Sequence, residues 1–355
     1  MLILALETSC DETAAAVVED GSRVLSNVVH SQHDLHEKYG GVVPEVASRA
    51  HLDWLTPVLR EALEQAGVKP QDLSAIAVGN RPGLVGSLLV GVNAAKALSW
   101  SLGLPLLGID HVQAHLYASA LETDAPPRFP ALGLVASGGH TSLYAVESPL
   151  KMTRIGSTID DAVGEAYDKA AVMLQAGYPG GASLDKLAQQ GDAARAPRPL
   201  PRSLLSPESL DFSFSGLKTA LLYSIRGFPV GKGDASAFAR DIGDLSPQER
   251  ADIAAAFQEA AIGILMTKLR RADARMKALG SAPQALLFGG GVVANSLLRL
   301  EAAKLGAKLR LPVHLPKLAY CADNAAMLAG LAHHRLIAGE ADDLLLPALP
   351  SSLVQ

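Results

Sequence analysis

Cysteine is scarce, excess positive charge and long hydrophobic runs are missing, and each of these excludes something. Two cysteines in 355 residues, Cys10 and Cys321, cannot build a disulfide framework, so a reducing compartment is the simpler setting. The chain carries 31 Lys and Arg against 36 Asp and Glu. A formal charge of −5 excludes a basic nucleic-acid binder as a description of the whole chain, while leaving room for a local patch. No run approaches about 18 uninterrupted apolar residues, so no membrane span is expected. The N-terminal MLILAL is too short for the apolar core of a signal peptide and has no basic leader. The expectation is a soluble, cytoplasmic protein.

What the chain does have is apolar bulk. With 49% hydrophobic and 19% charged residues it can build a sizeable core, which argues against long-range disorder. Its length suits two domains of about 150–180 residues. LILAL (2–6), the polar tip ETSCDET and AAAVVE (14–19) read as a β-hairpin. Residues 42–66 have helical apolar spacing, with Pro44 and Pro57 at turn or first-turn positions. AIAV (75–78) predicts a strand, SLLVGVNAAKALSWSLG a long and mostly buried helix, and LPLLGI (104–109) another strand. The pattern then restarts. LGLVA (132–136), the turn SGGHT and SLYAVE (142–147) predict a second hairpin, with helices over 160–175, 183–190 and 250–279. ALLFGGGVVANSLLRLEAAKL follows as strand, triple glycine and helix. Two α/β halves, each opened by a hairpin with a hydroxyl-bearing turn, suggest a duplicated fold around a central cleft. The Pro- and Ser-rich 196–209 reads as loop and the irregular 228–250 as an insertion.

DHVQAHLYA (110–118) puts His111 and His115 at i and i+4 of a helix beginning near Asp110, their Cβ atoms about 5–6 Å apart on one face. Two imidazoles so placed can share a cation, as in H-E-x-x-H metalloproteases, but Val112, Gln113 and Ala114 supply no water-activating glutamate. Alone, such a pair is more often an ordinary surface or core pair. Asp323, in the polar turn of YCADNAAMLAG, is the best candidate for a third ligand, and two histidines with one carboxylate leave positions open for substrate. Cys321 is a softer competitor. SGGHT (137–141) and GGG (289–291) follow strands and match neither the dinucleotide nor the P-loop fingerprint. Glycine lets backbone N–H groups approach an anion, and a following helix N-terminus adds favourable charge, although tight turns without ligand fit each motif as well. Asp161, Glu165 and Asp168 recur at i, i+4 and i+7. They make either a solvated acidic face or, because the helix is otherwise apolar, carboxylates turned to a cleft for ribose hydroxyls, with YPGG and Asp185 just beyond. DFSFSGLKTA (211–220) alternates like a strand, with Ser213, Ser215 and Lys218 around two phenylalanines. Arg195, Arg198 and Arg202 suit a solvated linker better than a polyanion contact.

As a set these residues are familiar. ETSCDET (7–13), PGLVGSLLVG (82–91), DHVQAHLYA, SGGHTSL (137–143), DDAVGEAYDKAA (160–171), YPGG (178–181), DFSFSGLKTA, GGGVVANSLLR (289–299) and YCADNAAMLAG (320–330) closely resemble the bacterial TsaD family, in family order and over nearly the whole chain. These are the tRNA N(6)-adenosine threonylcarbamoyltransferases, formerly labelled glycoprotein endopeptidases. The resemblance implies the ASKHA fold of actin, heat-shock chaperones and sugar kinases, a duplicated α/β fold with two similar lobes around a nucleotide cleft. The lobes would be 1–112 completed by 322–355, and 113–321 with insertions near 191–209 and 228–250. The implied activity moves threonylcarbamoyl from threonylcarbamoyl-AMP to the exocyclic amine of the adenosine beside the anticodon, in tRNAs reading codons that begin with A, and releases AMP.

By the same resemblance the metal ligands fall on His111, His115 and Asp323, for one divalent ion per subunit, iron(II) or zinc. Substrate contacts fall on Val135, Ala136, Ser137, Gly138 and Gly139, and further nucleotide contacts on Asp168, Gly181, Asp185 and Asn295. Asp11 matches a position the family needs, and Asp11 or His140 would assist removal of the amine proton. Implied partners are tRNA, a TsaB-like paralogue docking through N-terminal-domain helices near 42–66, and a TsaE-like ATPase. Arg81-Pro82-Gly83-Leu84 departs from the usual Gly-Pro-Gly-Leu, a change that could disturb a loop needing positive φ. The competing readings are an ATP-regulated binding module of the actin type and a metalloendopeptidase.

Overall fold

Two continuous apolar runs each seed a five-stranded sheet, and the two sheets have the same strand order. In the first, β1 (Leu2–Glu7), β2 (Glu12–Glu19) and β3 (Arg23–Ser31) form an antiparallel meander. β4 (Ala75–Arg81) joins β1 in parallel and β5 (Leu106–Asp110) joins β4, giving the order β3-β2-β1-β4-β5. The second sheet begins with the meander β6 (Ala131–Ala136), β7 (Thr141–Ser148) and β8 (Lys151–Ser157). A two-residue ribbon, β9 (Pro229–Val230) with β10 (Ala237–Phe238), stands apart. Then β11 (Leu286–Gly289) joins β6 in parallel and β12 (Val313–His314) joins β11. The result is β12-β11-β6-β7-β8, the first sheet's order read from the other edge. The expected duplicated α/β fold is what forms. The computed structural model describes residues 1–39, 41–230, 237–238 and 240–351. Residues 231–236 and 239 of the segment expected as an insertion therefore lie outside the described residues.

β1 shows why its sequence is continuously apolar. Leu4 and Leu6 enter one core with Leu55, Val58 and Val92, while Ile3 and Ala5 enter another with Leu116, Met327 and Leu331. A strand covered on both faces needs apolar residues at every position. On the first face lie α2 (Pro44–Ala66) and α3 (Val85–Leu102), following the short α1 (His33–Glu37); on the second lie α4 (His111–Tyr117) and α10 (Ala326–Ile337). The second sheet is covered by α5 (Val163–Leu174), α6 (Gly180–Ala188), α7 (Ser215–Arg226), α8 (Pro247–Ala278) and α9 (Ser296–Leu309). The start of α8 is chemically fixed. Ser246 accepts from the Glu249 N–H while the Glu249 carboxylate takes the Ser246 N–H, and Pro247 sits where no helical N–H is needed.

Three expectations need correction. α3 is not mostly buried: Ser87, Leu88, Gly91, Val92, Ala95 and Ser99 pack inward, whereas Val85, Leu89 and Trp100 are exposed. With mean hydropathy of 1.2 over 18 residues, it is the one helix among the described residues long and apolar enough to cross a membrane. DFSFSGLKTA is not a strand, because Phe212 makes only an isolated bridge to Thr158 and the chain turns helical at Ser215. Asp160 forces that turn by accepting from Ser213 Oγ, Phe214 N–H and Ser215 Oγ at 2.6–2.8 Å. The acidic triad does not share a helix face either, since α5 begins only at Val163. Asp161 lies before it, ion-paired to Lys169 and Lys218, and Glu165 also pairs with Lys169.

The 196–209 loop is exposed along most of its length, as expected, but is also tied down. Lys268, fully buried on α8, donates to the carbonyls of Leu204 and Ser209, both at 2.7 Å, and Arg271 reinforces them. Arg195 pairs with Asp192, Arg198 lies over the Phe228 ring, and Arg202 lies against Gly263, so these arginines are engaged within the chain. Lys268→Met keeps the shape but removes the donors. It should destabilise the protein by about 1–3 kcal/mol in denaturant titrations, the cost of buried carbonyls left short of partners. An unchanged midpoint would show that the strap contributes nothing.

Candidate active site and metal centre

Open α/β sheets bind ligands beyond the carboxyl ends of their parallel strands. Here five such ends open onto one cavity of about 470 Å³. Its walls are Ser9–Glu12 after β1, Pro82–Leu84 after β4, His111 after β5, Ser137–His140 after β6 and Gly291 after β11, closed by Ala322 and Asp323.

α4 is aimed by its cap. Asp110 Oδ1 accepts the N–H groups of Val112 at 3.0 Å and Gln113 at 3.2 Å, so the helix starts at His111. His111 and His115 are then both buried, with ring centroids 4.6 Å apart and planes at 80°. Asp323 Oδ1 stands 3.5 Å from His111 Nε2 and 3.2 Å from His115 Nε2. One ligand atom from each of the three residues lies within 4.8 Å of the others. Glu7, fully buried at the end of β1, places its Oε2 2.8 Å from His111 Nδ1. Its other oxygen accepts the Ser9 N–H. A carboxylate on Nδ1 fixes a proton there and orients the ring so that Nε2 points at Asp323, where a bound cation would take its lone pair. Gly79 makes room for this, since a Cβ there would stand 2.9 Å from Glu7 Oε2.

The trio fits a divalent cation. Neither ring nitrogen of buried His115 makes a hydrogen bond among the described residues, and its close approach to Asp323 is not aligned as one. Unpaired buried nitrogens are costly unless something else satisfies them. The electrostatics agree. Against burial, Asp323 and Glu7 hold the His111 imidazole well above its usual range, and its charge in turn, again against burial, holds the Asp323 carboxyl well below its own, so a proton stands where a cation would. Burial, then the charge of His111, lowers the His115 pKa. Cys321 is no competitor, because its thiol turns to the Pro316 and Lys317 carbonyls.

The other expected residues divide into groups. Asp11 and His140 line the cavity with Ser137, Gly138 and Gly139. The turn closes on itself, Ser137 N–H donating to the His140 carbonyl at 2.8 Å and His140 N–H to Ser137 Oγ at 3.1 Å. It leads into β7, not a helix, and only GGG precedes one, α9. Burial, then the charges of His111 and His115, brings the His140 imidazole down to about 4. Val135 and Ala136 are buried within β6 and do not reach the cavity.

Asp168 accepts the Gly181 N–H, while burial raises its pKa. Asp185 accepts from Ser296 N–H at 3.1 Å, Ser296 Oγ at 2.8 Å and Gln258 at 3.1 Å, and Gln258 in turn accepts from Asn295 at 2.8 Å. These four form two pairs outside the walls of the cavity itself. Glu7, Ser9, Cys10 and Glu12 were not singled out from sequence; a carboxylate ending an apolar strand was the available signal for Glu7. Burial, then Asp323 and Asp11, raises the Glu12 pKa well above normal. Beneath this tip, His51 Nε2 holds the Cys10 carbonyl at 3.0 Å and Gln32 N–H the Asp11 carbonyl at 3.0 Å.

A family model described as TsaD, tRNA N6-adenosine threonylcarbamoyltransferase, matches residues 23–330. The chain belongs to the TsaD family. A TsaD relative from Anaeromyxobacter dehalogenans (strain 2CP-C), named tRNA N6-adenosine threonylcarbamoyltransferase, is 48% identical over 95% of each chain. One of the same name from Trichlorobacter lovleyi is 49% identical over 98% of this chain and 95% of that one. Among solved structures, T. kodakarensis HypF superposes with a TM-score of 0.59 at 16% identity, covering 95% of this chain and 48% of that one. Component A of the Acidaminococcus fermentans (R)-2-hydroxyglutaryl-CoA dehydratase gives 0.50 at 14% identity over 96% and 99%. These two likenesses support the two-lobed α/β fold. The departure from the TsaD pattern at Arg81 disturbs nothing by its backbone, which is not left-handed. The demanding position is Gly83, where a Cβ would stand 2.5 Å from the Ser9 carbonyl.

Proposed function

We propose that this chain transfers threonylcarbamoyl from threonylcarbamoyl-AMP to the exocyclic amine of the adenosine beside the anticodon in tRNA. The observation that carries this reading is the convergence of five strand ends on one cavity holding a His-His-Asp trio and a glycine turn. Full-length relatives of the same name support it over a peptidase or an actin-like binding module. His111, His115 and Asp323 would hold one divalent ion, iron(II) or zinc. Such an ion, when bound, polarises a carbonyl and stabilises developing negative charge. The backbone of Ser137, Gly138 and Gly139, continuing Val135 and Ala136, would bind the donor's phosphate, with Asp168, Gly181, Asp185 and Asn295 on its nucleoside. The amine nitrogen attacks the carbamoyl carbon, AMP departs, and the amine proton passes to Asp11 or His140. With its pKa brought down to about 4, His140 is neutral at pH 7 and has a free ring nitrogen, but is a weaker base than an ordinary imidazole. The target adenine must leave its stack to reach these groups.

The lobes would comprise 1–112 with 322–355, and 113–321; α10 packing on the first sheet supports that division. A TsaB-like paralogue would dock on α2 and α3, which leave Leu52, Val85, Leu89 and Trp100 exposed, and a TsaE-like ATPase would join them in the cytoplasm. Reconstitution with the synthase, both partners, threonine, bicarbonate, ATP and unmodified tRNA tests the whole. Threonylcarbamoyladenosine should form only when this chain is present, and its absence under those conditions overturns the reading. Glu7→Gln should weaken metal binding about 10–100-fold, because the group orienting His111 loses its charge. Metal titration with an unchanged affinity would remove Glu7 from that role.

A further inference from the structure

Tyr178 and His33 meet face to face although they come from different halves of the chain. Their ring centroids are 3.9 Å apart and their planes differ by 15°. Tyr178 begins the YPGG turn that opens α6, beside the second sheet; His33 opens α1, beside the first. Each is tied to the site by its neighbours. Gly180 packs so close that a Cβ there would stand 2.6 Å from Asp168 Oδ1. On the other side Gln32, adjacent to His33, holds the Asp11 carbonyl. Tyr178 remains 40% exposed, so the stack lies at the surface and not in a core, within reach of the charge of Asp11, which lines the cavity. Among the described residues the phenol oxygen makes no hydrogen bond, leaving the ring free of polar tethers.

We propose that the Tyr178 ring is the stacking platform for the adenine that accepts the transferred group, and that His33 covers it until RNA arrives. This rests on the transferase reading above. An adenine drawn out of an anticodon loop loses its stacking partners, and an aromatic face that already holds a planar ring at stacking distance replaces them. The surrounding charge favours a base over a phosphate. Asp11 and Asp168 stand near enough for their charges to add to burial in raising the phenol's pKa; carboxylates repel a phosphate and attract an exocyclic amine. The donor's adenine is the competing occupant, since Asp168 and Gly181 lie beside this turn while Asp185 and Asn295 are joined through Gln258 and Ser296, and the affinity for AMP separates the two.

The test uses the full chain with its partners and an anticodon stem-loop RNA carrying 2-aminopurine at the acceptor position. Wild type should quench the fluorophore on binding. Tyr178→Ala should leave it bright and raise the KM for unmodified tRNA about tenfold or more, the usual scale for losing one base–aromatic stack. Its Kd for AMP should stay unchanged. Tyr178→Phe, which keeps the ring, should restore quenching, and His33→Ala should bind the RNA at least as tightly as wild type. Quenching that persists in Tyr178→Ala overturns the platform. So does a parallel loss of AMP affinity, which would assign the ring to the donor. If wild type quenches the probe yet modifies no tRNA, the transferase reading falls while the stacking result stands.

Discussion

Replacing His111 and His115 together by alanine should abolish threonylcarbamoyl transfer while the chain stays folded. The expected loss is at least about 10³-fold, since a cation polarising a carbonyl contributes several kcal/mol to the barrier. The pair occupies one turn of α4, and removing it takes from Asp323 both of its imidazole neighbours and from Glu7 its partner His111. Metal bound per subunit should fall from one to none. Wild type should gain thermal stability on adding metal, by mass action on the folded state, and the double variant should not. Mass spectrometry of the modified nucleoside and metal analysis of the purified complex read the two effects independently. Modification surviving within tenfold of wild type would refute a metal-centred site. Metal retained without the histidines would move the site elsewhere.

How far the sequence revealed this site depended on whether each feature was local. The HxxxH spacing, the helix start near Asp110 and the glycine turns after strands are decided within a few residues, and all lie where expected. The duplicated hairpins were legible for the same reason, because continuous apolar runs with polar tips need no partner to be recognised. Three features were not local. Glu7 looks like the first residue of a polar turn, and only the parallel placement of β1 and β5, joined through β4, brings it to His111. DFSFSGLKTA alternates like a strand, yet Asp160, about fifty residues earlier, captures its polar groups and starts a helix. α3 carries enough apolar residues for burial all round, but the sheet covers one side of it only. In each case tertiary contact overrode the local pattern, as it commonly does.

Gly289 supplies the second large effect. In sequence it is one of three consecutive glycines, with nothing to distinguish it from Gly291. In the fold, a Cβ at Gly289 would stand 2.1 Å from the His115 carbonyl oxygen and 2.9 Å from the Leu116 nitrogen, whereas one at Gly291 would meet nothing within 4 Å. Backbone atoms cannot rotate away as a side chain can, so Gly289→Ala must move either β11 or α4. β11 is pinned between β6 and β12. α4 is seven residues long and is the softer of the two. The variant should therefore cost about 3 kcal/mol or more, at or above the upper end for overpacking, and should displace His115 from the trio. Denaturant midpoints should drop sharply for Gly289→Ala. They should hold or rise slightly for Gly216→Ala, which sits in open space near the start of α7. In protein that remains folded, metal affinity should fall even though every ligand is intact. A Gly289→Ala protein with wild-type stability and wild-type metal affinity would show that α4 is not braced by β11, and that the position of His115 is set by its Asp110 cap alone.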